Sequence, residues 1–324
     1  MSGSPLRANY YRALCSKEKT VAKPRSSTSI GVSLLWILFL TVLLGGCQTN
    51  PYTNRYQLLL MPSGYMNQMG AAQYGETLQD PKVVLSKDPR EIEPVKRVAA
   101  RIIEAAKRSK YAQAAKSFDW EVTVIKDDNT KNAWALPGGK IAVYTGIFPM
   151  AKTEAGLAAI MGHEVIHALA EHGGERMSQG LVAQVGLSAA AILLSTQVDN
   201  PALAQLGMQA MGLGVQAGVL LPFSRKHESE ADYVGVLLAA DAGYDPQEAI
   251  RIWERMAAAS EGAPPEFLST HPANETRIAD LKGWMPEAMP IYQRAPKAAN
   301  GILPTITPSP PPSSPPGGSR ARFR

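Results

Sequence analysis

The tightest constraint in this 324-residue chain is His163-Glu164-Val165-Ile166-His167, set in an apolar run. Ile160, Met161, Val165, Ile166 and Leu169 surround it, Thr153 suits an N-cap, and Gly173-Gly174 suits a stop. A largely buried helix is therefore expected here. Residues four apart share a helix face, so both imidazoles can reach one metal ion. Burying two histidines and a glutamate without partners is costly, which favours a common site over surface histidines that happen to be spaced this way. At a zinc site, Glu164 is placed to take a proton from zinc-bound water, whose pKa falls to about 7. It can then pass that proton to a leaving amine as general base turned acid.

A catalytic zinc needs a third protein ligand and an open position. His172 falls one residue short of the spacing HExxHxxGxxH, and Ala170 stands in place of its glycine, so the metzincin arrangement fails. Glu228, in Glu228-Ser229-Glu230-Ala231-Asp232, is the better candidate. With Ser224 as N-cap, Glu228 and Asp232 lie one helical turn apart on one face. Glu228 can complete the coordination, while Asp232 accepts a hydrogen bond from the far nitrogen of a ligand histidine. Glu230 reads as a solvated acid.

Charge excludes one class of partner. Residues 1–46 hold six basic residues and one acid; removing them from the chain's 33 basic and 28 acidic residues leaves 27 of each. A nucleic-acid partner gains no support from that balance. The two cysteines are Cys15 and Cys47. Basic residues, the apolar run Ile30–Leu44 and Gly45-Gly46-Cys47 follow in the order of a secretory signal. Leu44 and the two glycines resemble a bacterial lipoprotein processing site, which implies a lipid on Cys47, membrane attachment through it, and no disulfide in the mature protein. Gln48 after the cysteine implies an outer-membrane lipoprotein facing the periplasm.

Along the mature chain, residues 47–86 suggest an N-terminal arm with a short helix, and 87–295 a peptidase domain. Asp88–Lys110 reads as an amphipathic helix; Glu121–Ile125, Ala133–Leu136 and Ile141–Tyr144 read as strands, the last two joined by Pro137-Gly138-Gly139. From Leu181 to Leu221 the chain is rich in Ala, Gly, Leu and Met but interrupted by Gln, Asp and Asn. That pattern favours a buried helical hairpin over membrane spans, with a helix dipping into a membrane surface as the other reading. Helices are expected at Arg225–Ala240, Pro246–Ala259 and Asn274–Trp284. Residues 296–324 form a basic, Pro-rich tail expected to be disordered.

Four motifs in order resemble the Ste-type, HtpX and BepA-like family of gluzincin peptidases: Asn132 to Gly139, His163 to His167, Ser224-Arg225 leading to Glu228 and Asp232, and His271-Pro272 followed by Arg277. Asn50-Pro51-Tyr52-Thr53 adds a likeness to the lipoprotein and mitochondrial Oma-like members. The resemblance implies an α+β, mostly helical zinc peptidase domain with a small mixed sheet and an active-site helix. It also implies one zinc per chain on His163, His167 and Glu228, with Glu164 as catalytic base. The substrates implied are unfolded or misassembled envelope proteins. His271 either donates to the developing oxyanion or occupies the open zinc position and holds the enzyme inactive. The rival reading is a lipoprotein chaperone or assembly factor with a latent zinc site.

Overall fold

The structure, a computed structural model, describes residues 46–197, 200–216, 221–259, 271 and 276–306. The segment read as an export signal lies outside them apart from Gly46, as do Pro272 and residues 307–324. Strands β1 (Cys47–Thr49) and β2 (Tyr56–Leu58) pair antiparallel, with Cys47 opposite Leu58. Helix α1 (Ser63–Gln79) follows, then α2 (Pro89–Ala106) and the short α3 (Ala112–Ser117). Asp88 caps α2 by accepting from the Arg90 N–H, and Pro89 starts it with a preset φ. Val95, Val98, Ile102 and Ala106 are buried at the expected three- and four-residue steps.

β3 (Glu121–Ile125), β4 (Ala133–Leu136) and β5 (Lys140–Tyr144) form a mixed sheet in the order β3-β5-β4. β3 runs parallel to β5 and β4 antiparallel, which leaves β4 at an edge. Gly138 and Gly139, at φ 86° and 90°, make the turn that only glycine takes readily. After α4 (Phe148–Ala151) come α5 (Glu154–Leu169), α6 (His172–Gln197), α7 (Pro201–Val215), α8 (Leu221–Asp241), α9 (Gln247–Ala259) and α10 (Arg277–Arg294).

α5 is the central helix, packed against α2, β4, α8 and α9. Every residue from Leu157 to Leu169 is buried except Ala159. Its approach to α8 is set by a glycine pair. A Cβ on Gly162 would lie 2.8 Å from the Gly235 carbonyl oxygen, and one on Gly235 would lie 2.9 Å from the His163 nitrogen. No side chain fits between the backbones there, so the helices cross close enough for α8 to reach the histidines.

Four expectations are corrected. The helix of the histidine motif stops at Leu169 rather than at Gly173-Gly174, because Glu171 takes a positive φ of 55° and restarts the chain as α6. The hairpin of α6 and α7 is exposed, not buried: Ile192, Leu193, Leu203, Leu206 and Leu213 are 60–72 % accessible. The segment 296–306, expected to begin a disordered tail, is packed. Leu303 and Ile306 are buried, Ile302 bridges Thr153, and the Leu303 N–H donates to the Lys152 carbonyl. Finally, Glu230 is not solvated but buried and ion-paired to Arg55.

Candidate metal centre

Thr153 caps α5 by accepting from the Gly156 N–H, and the helix then carries His163, Glu164 and His167 inward. α8 brings Glu228 and Asp232, and α10 begins with Arg277. His163, His167, Glu228 and His271 are all buried and can each offer a ligand atom within 4.8 Å of the others. His163 Nε2 and His167 Nε2 are 3.1 Å apart, and each is 3.4 Å from a Glu228 oxygen. His271 Nδ1 lies 3.2 Å from His163 Nε2 and 3.0 Å from Glu228 Oε2.

These spacings test the fit of a metal. Zinc bonds of about 2.0–2.1 Å in a tetrahedron hold their ligand atoms roughly 3.3 Å apart, and five of the six pairs among the four groups stand at 3.0–3.4 Å. Glu164 Oε1 is buried without a hydrogen-bond partner, 3.3 Å from His271 Nε2, as a base kept for a bound reactant would be. The donor set therefore fits zinc, with His271 at the fourth corner.

Carboxylates hold the far side of the cluster. Asp232 Oδ1 is 2.8 Å from His163 Nδ1, and Arg277 binds Asp232 with Nε at 2.6 Å and its second guanidinium nitrogen at 2.7 Å. Arg277 also donates to Glu228 Oε2 at 3.2 Å and lies 3.5 Å above the Trp253 ring. Burial alone would lower the His163 pKa, but Asp232 and Glu228 outweigh it and push the imidazole up to about 9. Burial raises the Glu164 carboxyl and lowers His167. Glu228 is disfavoured as an anion by burial, yet His163 and His271 hold it well below the usual carboxylate range.

All six site residues expected on the peptidase domain thus converge: His163, Glu164, His167, Glu228, Asp232 and His271. Cys47 stands apart, exposed in β1. A second set was missed by the sequence reading. His172 Nδ1 lies 2.9 Å from His167 Nδ1, and its Nε2 lies 2.9 Å from Glu230 Oε2. Arg55 donates to Glu230 at 2.8 Å and to Glu175 at 2.7 Å, and Thr53 also binds Glu230. His227, stacked on His172 at 4.4 Å, meets Glu175 at 2.9 Å. In one unbroken helix, five residues turn His172 about 140° away from His167; the kink at Glu171 brings it back.

Comparison with known proteins agrees with this geometry. The model of peptidase family M48 matches residues 89–285. The mitochondrial metalloendopeptidase OMA1 of Schizosaccharomyces pombe is 41% identical over 198 residues, covering 60% of this chain and 53% of the relative. The human metalloendopeptidase OMA1, mitochondrial, is 28% identical and covers 85% and 53%. The beta-barrel assembly-enhancing protease of Yersinia pestis is 28% identical and covers 47% and 32%. The chain spans about half the length, or less, of these curated relatives.

These matches overturn the localisation expected from the sequence. The OMA1 proteins of Schizosaccharomyces pombe, Saccharomyces cerevisiae and Arabidopsis thaliana that the chain resembles are mitochondrial, so placement in a bacterial outer membrane facing the periplasm is withdrawn. The error has a physical source: a basic, Ser-rich, acid-poor stretch is equally the composition of a mitochondrial transit peptide. A site of two helical histidines, a carboxylate from a second helix and a buried glutamate beside them, within a match over residues 89–285, identifies the chain as a member of peptidase family M48, whose members are zinc metallopeptidases.

Proposed function

We propose that this chain is a zinc endopeptidase of protein quality control that hydrolyses peptide bonds of unfolded or misassembled proteins. The observation that carries the reading is Glu164, buried beside the metal-ligand cluster with Oε1 accepting no hydrogen bond. His163, His167 and Glu228 would hold the zinc. When bound, zinc acidifies water and polarises a carbonyl. Glu164 holds the proton taken from the attacking water and delivers it to the leaving nitrogen. Asp232 fixes His163 through Nδ1, and Arg277 fixes Asp232. The edge strand β4 packs against α5 and can receive an extended substrate by backbone pairing, which reads little of its sequence.

The envelope origin of the substrates rested on the withdrawn localisation and is dropped with it. The apolar α6–α7 hairpin supports contact with a membrane, because its exposed leucines and isoleucine have no protein cover among the described residues. A lipid on Cys47 would sit at the exposed start of β1; the intact mass of the membrane-extracted protein reads it directly.

The deciding experiment is cleavage of an unfolded model protein by the purified chain, beside Glu164→Gln and beside a zinc chelator. The variant should keep its zinc and lose about 10²–10⁴ in rate, and the chelator should abolish activity. Zinc-loaded wild type and variant that cleave equally would remove Glu164 from the reaction. A second reading, a chaperone with a latent zinc site, draws on His271 filling the fourth corner, since structural zinc sites are closed. It predicts bound zinc and no cleavage by either protein.

A further inference from the structure

The two imidazoles of α5 are anchored in different ways. His163 meets a carboxylate directly through Asp232. His167 instead meets a second imidazole, and only through it a carboxylate: His167 Nδ1, His172 Nδ1, His172 Nε2 and Glu230 Oε2 form a chain with two 2.9 Å links.

The proton order in that chain is fixed from both ends. His167 Nε2 faces the ligand cluster, and a nitrogen that binds metal carries no proton, so the His167 proton sits on Nδ1. Glu230 accepts from Arg55 and Thr53 and, as a carboxylate, can only accept. His172 must therefore donate from Nε2 to Glu230 and accept at Nδ1 from His167. The metal end and the carboxylate end demand the same tautomer of His172. Neither end can be reversed without leaving two protons or two lone pairs face to face.

Arg55 and Thr53 belong to the loop between β1 and β2, outside the stretch that matches the peptidase family. Arg55 spans two buried acids, Glu230 on α8 and Glu175 on α6, while Gln57 donates to the Ala170 carbonyl where the chain leaves α5. The hairpin thus reaches the turn that aims His172.

We infer that the N-terminal hairpin is a working part of the zinc site: Arg55, through Glu230 and His172, sets the tautomer and orientation of His167 and so the hold on the metal. His172, Glu230 and Arg55 are positioning residues, none of which touches metal or substrate.

The test uses the full chain and reads metal, not cleavage. Zinc affinity is measured by competition with a chromophoric chelator, and the visible spectrum is recorded with cobalt in place of zinc. His172→Ala should weaken zinc binding about 10–100-fold and alter the cobalt bands. His172→Gln should bind within a few-fold of wild type, because its carboxamide can accept from His167 and donate to Glu230 as the imidazole does. Arg55→Met, with its change three links away from the metal ligand, should weaken zinc and shift the cobalt bands in the same direction. Circular dichroism shows which variants fold, and if His172→Ala does not, the Gln and Met variants still decide. Wild-type zinc affinity in Arg55→Met, or equal loss in folded Ala and Gln variants at position 172, would overturn the inference.

Discussion

His271 stands between the base and the rest of the cluster, with Nε2 3.3 Å from Glu164 Oε1 and Nδ1 3.0 Å from Glu228 Oε2. In that position it fills the corner a water or substrate carbonyl needs and crowds the oxygen that would take the proton. His271→Ala should therefore raise the rate of cleavage of an unfolded protein several-fold while zinc stays bound. An oxyanion role predicts the opposite, a fall of about 10²–10³, and an unchanged rate removes both roles. At this scale the sequence was informative where spacing and chemistry coincide. His163, Glu164, His167, Glu228 and Asp232 follow from helical geometry and the needs of zinc. His172, Glu175, Glu230 and Arg55 did not, because a charged residue on a polar-looking helix reads as solvated unless its distant partner is known. Gly162 and Gly235, which let α8 approach His163, are ordinary small residues until the crossing is seen.

At the scale of elements, α2, β3 to β5 and α9 were legible from periodicity and turn residues. By contrast, α8 starts at Leu221, so Ser224 lies inside it rather than capping it, and α10 runs on to Arg294 past the expected Trp284. The α6–α7 hairpin was misread because the interrupting Gln, Asp and Asn argued against membrane spans, which left its small apolar residues to a protein interior. Instead the helix surface beyond Gln179 is accessible almost throughout, although His172–Gln197 is long and apolar enough to cross a membrane. Apolar residues on every side of an exposed helix suit lipid better than a one-sided protein partner. A fluorophore on a single cysteine at Leu193, with Cys15 and Cys47 changed to Ser, should shift to the blue and become quenched by nitroxide lipids in phosphatidylcholine–phosphatidylglycerol vesicles. A probe at Ser117 should not respond. A probe at 193 that stays in water on vesicles carrying the chain would show that the hairpin does not enter them.

For the whole molecule, buried charge joins the N-terminal hairpin to the peptidase domain. Glu175 accepts from Arg55 at 2.7 Å, from Gln57 and Gln179 at 3.2 Å, and meets His227 at 2.9 Å. Burial opposes its ionisation, but His227 and Arg55 outweigh that and hold its pKa down at about 2, against 4.5 for a free glutamate. A carboxyl depressed in the folded state stabilises fully above its unfolded pKa and loses that contribution as pH falls toward the folded one. Glu175→Gln should thus unfold at a lower temperature than wild type at pH 7, and the gap should close between about pH 4.5 and 2. A gap that does not change with pH would mean that the charge of Glu175 contributes nothing.

The start of α5 is completed from far along the chain. The Glu154 N–H donates to the Gly301 carbonyl and the Ala155 N–H to Asn300 Oδ1, both at 2.9 Å, across 145 residues in the second case. Synthesis at roughly 5–20 residues per second puts a delay of about 7–30 s between the emergence of that helix and of the residues that cap it. Glu228 and His271 also emerge within the interval. A newborn chain therefore displays its two helical imidazoles before Glu228 and His271, which complete the cluster, and before the residues that finish the helix start have emerged.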